Sequence, residues 1–420
     1  MELLEREASA RSVVYTFPHL TIQEFVAAFT QFLTVDPGNI VKFLTEAHSK
    51  TDGRFEVFLR FVAGLSSPQS ARILEEFLGP FPNDTTCRVI DWVKEEVQRQ
   101  ITNAGSEAGK RSLLNTLHYL FESKNPALPQ HILGSVETLS FSGLRMTPIG
   151  CAVLSHVISR CNTIKHLDLC SCGIQCEGLQ RLGPALHKCQ RLGLRDNDLG
   201  DSGVKLVSVA LRNRHCQIQA LWLDKVGLTD SGSEDLASAL STNHSLTELD
   251  LSDNKLGDLG VKLVSVALRN PDCKILRLGL DKVGLTDSGA EDLASALSIN
   301  PSLTQLGLGG NNLGDSGVKL VSAALGKPDC KILAPGLDKV GLTDSGAEDL
   351  ASALSTSPSL TVLDLTHNSL TDGCVPALCR LIRNHPSLEQ IMLGANQFSA
   401  DGRNQLQCLQ GIRTGLNVAV

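Results

Sequence analysis

The 420-residue sequence predicts an α/β solenoid, with parallel strands on its inside and helices on its outside, preceded by an all-α helical domain. Three observations carry that expectation. Two long segments each recur at an interval of 57 positions. Their leucines are spaced as L-x-x-L-x-L-x-x-N-x-L. The stretch from position 1 to 130 shares neither feature, and it holds most of the phenylalanines.

The segment GLTDSG, followed by Ala or Ser and then EDLASALS, starts at Gly227, Gly284 and Gly341. A second segment, LGDSGVKLVSVALRN with small changes, starts at Leu199, Leu256 and Leu313. The two series interleave, so the structural unit is half the period. Aligned on the first residue of the Leu-x-Leu pair, the units stand at Leu139, Leu167, Leu192, Leu221, Leu249, Leu278, Leu306, Pro335, Leu363 and Ile391. Successive units lie 28 or 29 positions apart with a single gap of 25, and about ten of them fill the chain from position 135 to 420. This is an α/β leucine-rich-repeat horseshoe. Its two alternating unit lengths, with a full helix on the convex side, resemble the ribonuclease-inhibitor type of repeat.

Each unit is one short strand and one helix that cannot bury an apolar side alone, so neighbours stack into a continuous core. Leu249 and Leu251 alternate inward on their strand. Asn254 and Asn311 close the motif, where an amide side chain can hydrogen-bond the backbone of the turn leaving the strand. Alternate units carry Val226, Val283 or Val340 at that place, so their turns need another partner. Ser231, Ser288 and Ser345 stand three residues before Glu234, Glu291 and Glu348, which is capping-box spacing for a helix start. Leu293 and Leu297, four apart, then face the strand layer.

Two units depart from the pattern. Around Cys189 to Leu192 a repeat is three residues short, which requires a tightened helix-to-strand loop. Pro335 occupies a strand position with a residue that has no N–H, which predicts a local defect or bend.

Before the repeats, Phe17 to Leu33 reads as a helix capped by Thr21, three residues before Glu24, with Phe25, Phe29 and Phe32 at helical spacing. Further helices are predicted near residues 54 to 64, 69 to 78, 84 to 102 and 110 to 122. Trp92 lies in the third of these.

The bulk numbers exclude several function classes. A net charge of −7 and a pI near 5.9 give no basic excess of the kind a phosphate-binding surface needs, so no nucleic acid is expected. The start, MELLEREASA, is acidic where a secretory signal would be basic, and no run of about 18 apolar residues is present to span a bilayer. A cytoplasmic protein is expected. The 13 cysteines are odd in number and belong to a long chain without an export signal, so they read as free, mostly buried thiols.

The phrase F-x-H-L-T-I-Q-E-F, from Phe17 to Phe25, resembles the join between the winged helix and second helical domain of NOD-like receptors (NLRs, proteins with NACHT and leucine-rich-repeat regions). CRVIDWVKEEVQ, from Cys87 to Gln98, is similar to a helix of the same region. The resemblance implies three parts: residues 1–34 as the end of the winged-helix region and the start of the helical domain, 35–130 as the second helical domain, and 131–420 as the repeats. In that family a NACHT domain binds ATP or ADP and drives assembly, while the repeats sense ligands or hold the ATPase closed. The chain is expected to begin after that ATPase core, to carry no cofactor, and to act through protein partners or a NACHT domain in cis or trans.

No catalytic or metal motif stands out. GSEAGKRS, Gly105 to Ser112, has three residues between its glycines where a P-loop needs four, Arg111 before Ser112, and a helix before it, so it reads as an inter-helix loop. Cys170, Cys172 and Cys176 are spaced C-x-C-x3-C without a second ligand pair, and Cys172 falls at the asparagine place of its unit, so they read as structural. Cys216, Cys273 and Cys330 follow the same 57-position period, as one structural site used three times. His19 reads as a packing or capping residue.

The default binding surface of such a solenoid is its concave face. Its outward positions are read as Arg195, Trp222, Asp224, Lys225, Asp250, Asp253, Asp281, Lys282, Asp338, Lys339, Asp364 and His367, with Asp168 at the start of the array. Acids outnumber bases, and Trp222 is the one large aromatic, a residue type that anchors interfaces. Solvated positions with no single partner are the competing reading. Two functions follow: an NLR-type innate-immune receptor or regulator working through protein interaction, or a stand-alone inhibitor that wraps an enzyme as the ribonuclease inhibitor does. Residues 1 to 130 favour the first, because a free inhibitor needs no such domain.

Overall fold

A computed structural model of the chain describes residues 5–9, 12–16, 19–33, 40–50, 52–357 and 359–420. The chain divides into two compact units, Met1–Leu144 with Ile149–Ile164, and Arg145–Pro148 with Lys165–Val420.

The first unit opens with an antiparallel pair, β1 (Glu5–Ser9) and β2 (Ser12–Thr16). Seven helices follow: α1 (Leu20–Leu33), α2 (Ile40–His48), α3 (Glu56–Leu65), α4 (Pro68–Leu78), α5 (Asn83–Asn103), α6 (Glu107–Ser123) and α7 (Leu128–Leu133). The strand β3 (Thr138–Ser140) and the helix α8 (Pro148–Ser159) come after them. The four helices read from residues 54 to 122 are present as α3 to α6; the hairpin, α2 and α7 are additional to those the sequence predicts. Phe17 lies outside the described residues. Thr21 does not cap α1: the helix starts at Leu20, and the His19 carbonyl accepts from the N–H groups of Ile22 and Gln23. His19 thus serves the helix start through its backbone, while its side chain is exposed.

Apolar spacing decides the packing of these helices. Phe32 is fully buried, its ring 5.4 Å from Phe81, and Phe25 meets Phe61 edge-on at 5.3 Å. Deeper in the unit a polar network takes over. Buried His48 meets Glu96 at 3.0 Å, the Tyr119 hydroxyl at 3.2 Å and the Ser112 hydroxyl at 3.2 Å. Trp92 donates its indole N–H to Thr45 Oγ1 at 3.1 Å. Burial pushes the Glu96 carboxyl up, but hydrogen bonds with His48, Gln100 and Arg99 outweigh it and hold the group at about 2.

The second unit is the repeat solenoid. Its strands are β4 (Ile164–Asp168), β5 (Cys189–Gly193), β6 (Ala220–Trp222), β7 (Glu248–Asp250), β8 (Arg277–Gly279), β9 (Gln305–Gly307), β10 (Ala334–Gly336), β11 (Val362–Asp364), β12 (Gln390–Met392) and β13 (Asn417–Ala419). They stand in chain order, and from β5 to β13 each pairs with the next in parallel. The intervening helices are α9 (Cys176–Leu186), α10 (Gly200–Leu211), α11 (Asp230–Leu240), α12 (Gly257–Leu268), α13 (Asp287–Leu297), α14 (Gly314–Leu325), α15 (Asp344–Leu354), α16 (Val375–Asn384) and α17 (Ala400–Gln407). The motif leucines make the core: Leu249, Leu251, Leu293 and Leu297 are all buried. Each such side chain contributes about 1.5–3 kcal/mol by leaving water.

The short unit is accommodated as its length requires, with α9 ending at Leu186 and β5 starting at Cys189. At Pro335 the strand persists. Ala334, Pro335 and Gly336 pair in register with Gln305, Leu306 and Gly307, while pairing with β11 is reduced to Gly336 and Asp364. The asymmetry has a simple cause. Leu337 donates its N–H to Asp364 of the next strand, and in a strand the residue two before it points the same way. The donor missing at Pro335 therefore faced β11, and the ladder toward β9 lost nothing.

Candidate protein-interaction face

The turn after each strand sets the edge of the exposed sheet face. Asn254 solves the problem posed by Val226: its Oδ1 accepts from the N–H of Val226 at 3.1 Å and of Leu228 at 3.0 Å, both in the preceding unit. Its Nδ2 donates to the carbonyls of Leu223 and Leu251 at 2.8 Å each. Asn311 and Asn368 do the same for Val283 and Val340, and Asn197 serves Cys172 and Ile174. The valine turns also hold the unit before them through their backbone, since the carbonyls of Val226, Val283 and Val340 accept from Gly200, Gly257 and Gly314. One asparagine thus holds two turns.

Helix starts are fixed between units as well. The cap of α11 is Thr229, and that of α13 is Thr286, not the serines two residues later; their side chains accept from the N–H groups of Ser231 and Ser288. Thr229 also donates its hydroxyl to Asp201 Oδ2 at 2.7 Å and its N–H to Asp201 Oδ1 at 2.8 Å. Asp258 with Thr286 and Asp315 with Thr343 repeat the pattern. The helix begins earlier than the Ser-x-x-Glu spacing implies because an aspartate of the preceding unit pins the threonine.

The twelve expected face residues divide into three kinds. Trp222, Asp250 and Asp364 are strand residues, half-buried. Arg195, Asp224, Asp281 and Asp338 follow their strands by two residues; Arg195 is exposed, Asp281 and Asp338 are half-buried, and Asp224 is buried at 6% exposure. Lys225, Asp253, Lys282, Lys339 and His367 are exposed turn residues in the left-handed region, with φ between 50 and 57. The expectation of one regular outward array is corrected in that respect, since five of its members form the rim. Asp168, Asp250 and Asp364 have a local task too, each accepting from the backbone N–H two residues on.

Electrostatically the face is paired at one end. Arg195 meets Asp224 at 2.8 Å, Lys225 meets Asp196 at 2.7 Å, and Lys282 meets Asp253 at 3.4 Å. Trp222 is held from three sides: Arg191 lies over the ring at 5.1 Å, His166 meets it edge-on at 5.6 Å, and Glu248 accepts its indole N–H at 3.1 Å. Glu248 also pairs with Arg277. Burial, with Asp250 nearby, pushes the Asp224 carboxyl up to about 6. Burial raises Asp281 as well, with Asp338 and Asp250 adding to it.

The chemical motifs resolve as structure. Ser106 caps α6 by accepting from Gly109 at 3.1 Å, and a Cβ on Gly109 would lie 2.2 Å from the Asn103 carbonyl oxygen, which accounts for that glycine. Lys110 donates to the Ser142 carbonyl and Arg111 to Glu107, and the segment before them is α5, not a strand. All 13 cysteines are free thiols. Burial and Asp168 push the Cys170 thiol up to about 12, the opposite of an activated nucleophile. Cys216, Cys273 and Cys330 each donate their N–H three residues back, to Asn213, Asn270 and Lys327. Among the described residues, no helix is long and apolar enough to cross a membrane.

Comparison with known proteins bears on both units. Residues 19–131 match the NLRC4 helical domain HD2, and residues 160–183, 242–265, 300–322 and 356–379 match the Leucine Rich repeat family. NACHT, LRR and PYD domains-containing protein 3 of Rattus norvegicus is 38% identical over 288 residues, covering 68% of this chain and 27% of the relative. Its Bos taurus counterpart is 28% identical over 532 aligned positions, covering 100% of this chain and 51% of the relative. Protein 14 of the same series in Mus musculus is 38% identical over 60% of this chain and 25% of its own length. Among solved structures, an internalin from Listeria monocytogenes aligns with a TM-score of 0.39 and 16% identity, over 77% of this chain and 96% of that one. The chain thus spans between about a quarter and a half of the length of these curated relatives. With a helical domain of the NLRC4 type leading into leucine-rich repeats that align with the NACHT, LRR and PYD proteins, the chain belongs to the NOD-like receptor family.

Proposed function

We propose that this chain is a non-enzymatic protein-interaction module of an NLR-type innate-immune receptor or regulator, working in the cytoplasm. Its repeats receive a protein partner, or restrain a NACHT domain in cis or in trans, through the exposed sheet face. The observation that carries this reading is Trp222. A half-exposed tryptophan, held by Arg191, His166 and Glu248, is an anchor whose orientation is fixed before a partner arrives. The ribonuclease-inhibitor-like alternative leaves residues 19–131 without a task.

Random twelve-residue peptides selected on the purified chain test the reading. Binding should fall on Trp222→Ala and persist on Lys205→Ala, which removes a surface pair between Lys205 of α10 and Asp235 of α11. Binders indifferent to Trp222 would overturn it. Calorimetry with Mg-ATP should give no saturable heat, and tight stoichiometric inhibition of a pancreatic-type ribonuclease would favour the alternative.

A further inference from the structure

The central column of the sheet face is unevenly filled. Trp222 and Asp250 occupy it on β6 and β7, and Asp364 occupies it on β11. The three strands between place Gly279, Gly307 and Gly336 in register at that position. Gly309 lies two residues beyond Gly307, so the floor widens toward the turn. None of these four glycines has a positive φ, so the backbone does not require them. Neighbouring strands carry tryptophan or aspartate at the same position. What the glycines provide is room, which the aspartate carboxylates of neighbouring units enter at Gly279, Gly307 and Gly309 and which stays open above Gly336.

With strands about 4.8 Å apart, the four spacings from Asp250 to Asp364 give a lane of about 19 Å, wide enough for an extended chain or a helix of about 10–12 Å diameter. Carboxylates lean into that room. A Cβ at Gly279 would lie 2.3 Å from Asp250 Oδ1, one at Gly307 would lie 2.4 Å from Asp281 Oδ2, and one at Gly309 would lie 2.2 Å from Asp338 Oδ1. The cations at the near end are already engaged, Arg277 with Glu248 and Lys282 with Asp253. Shape and charge thus agree: the floor admits close approach above Gly336, and the carboxylates beside it call for a cation.

We propose that the glycine-floored lane on β8 to β10 docks a lysine- or arginine-bearing segment of a protein partner, its cation entering between Asp250, Asp281 and Asp338. This rests on the reading of the sheet face as the interaction surface. Trp222, just outside the lane, packs the apolar part of the same segment.

The test uses the full chain and the peptide selection above. Selected peptides should be rich in lysine and arginine. Gly336→Leu fills the lane without touching charge, and its Cβ has no neighbour closer than 3.7 Å, so the fold should accept it. Combined Asp250→Asn, Asp281→Asn and Asp338→Asn removes charge and leaves the room. Each change should weaken a selected basic peptide at least about tenfold by fluorescence anisotropy, with unaltered circular dichroism, while exposed Asp272→Asn should change it less than about twofold. Peptides without basic enrichment, or binding indifferent to Gly336→Leu, would overturn the proposal. If binding is lost on Trp222→Ala but not on Gly336→Leu, the lane fails while the face stands. If neither matters, both readings fail.

Discussion

Replacing Asn254 with alanine should loosen the unit that precedes it. The side chain is 4% exposed, and it is the acceptor for two buried N–H groups, those of Val226 and Leu228, while donating to the carbonyls of Leu223 and Leu251. A buried donor left unsatisfied costs about 1–3 kcal/mol, and the carbonyls keep a second lone pair for other partners, so the two donors set a loss of about 2–6 kcal/mol. Because repeat arrays unfold in neighbouring blocks, the loss should be read locally as well as globally. Urea unfolding followed by circular dichroism gives the total. Hydrogen exchange with mass spectrometry gives the place, where amides of residues 223–228 should exchange faster. A total under about 0.5 kcal/mol, the range of ordinary surface substitutions, would refute the reasoning. So would faster exchange confined to the unit of Asn254 itself.

Three further outcomes follow from the same contacts. Thr286→Ala should cost about 1–2 kcal/mol as a lost cap and Ser288→Ala close to nothing, in the same urea assay. Pro335→Leu restores a donor facing β11 and should raise stability by about 1 kcal/mol; a loss of that size would mean the proline is needed where it stands. The folded value of Glu96, about 2, lies below its ordinary 4.5, so its contribution is fully present above pH 4.5 and is lost as pH falls through about 2. Acid unfolding of the helical unit, followed by Trp92 fluorescence, should therefore shift to higher pH in Glu96→Gln.

The repeats were legible because a period is visible without any knowledge of contacts. The leucine spacing placed β3 to β12 but neither β13 nor the hairpin, and the contrast between Asn254 and Val226 already posed the question that the inter-unit bonds answer. The helix starts were misplaced for a physical reason. Ser231 and Glu234 have capping spacing along the chain, but Asp201, in the preceding unit, holds Thr229, and no local pattern reports a bond between units. The recurrence of both residues every 57 positions was the available signal. Lys225 and His367 looked like strand residues because spacing alone does not show a left-handed φ. Gly279, Gly307 and Gly336 matter by having no side chain, and a pattern of side chains along the face does not report them. In the helical unit, α2 and α7, of nine and six residues, were too short for their periodicity to register.

Entry of a partner through the sheet face of the solenoid can be read from hydrogen exchange of the chain with and without a selected peptide. Protection should concentrate on the segments from Ala220 to Lys339, at β6 to β10 and the turns that follow them. Protection confined to the outer helices α10 to α15, with those strands unchanged, would contradict it.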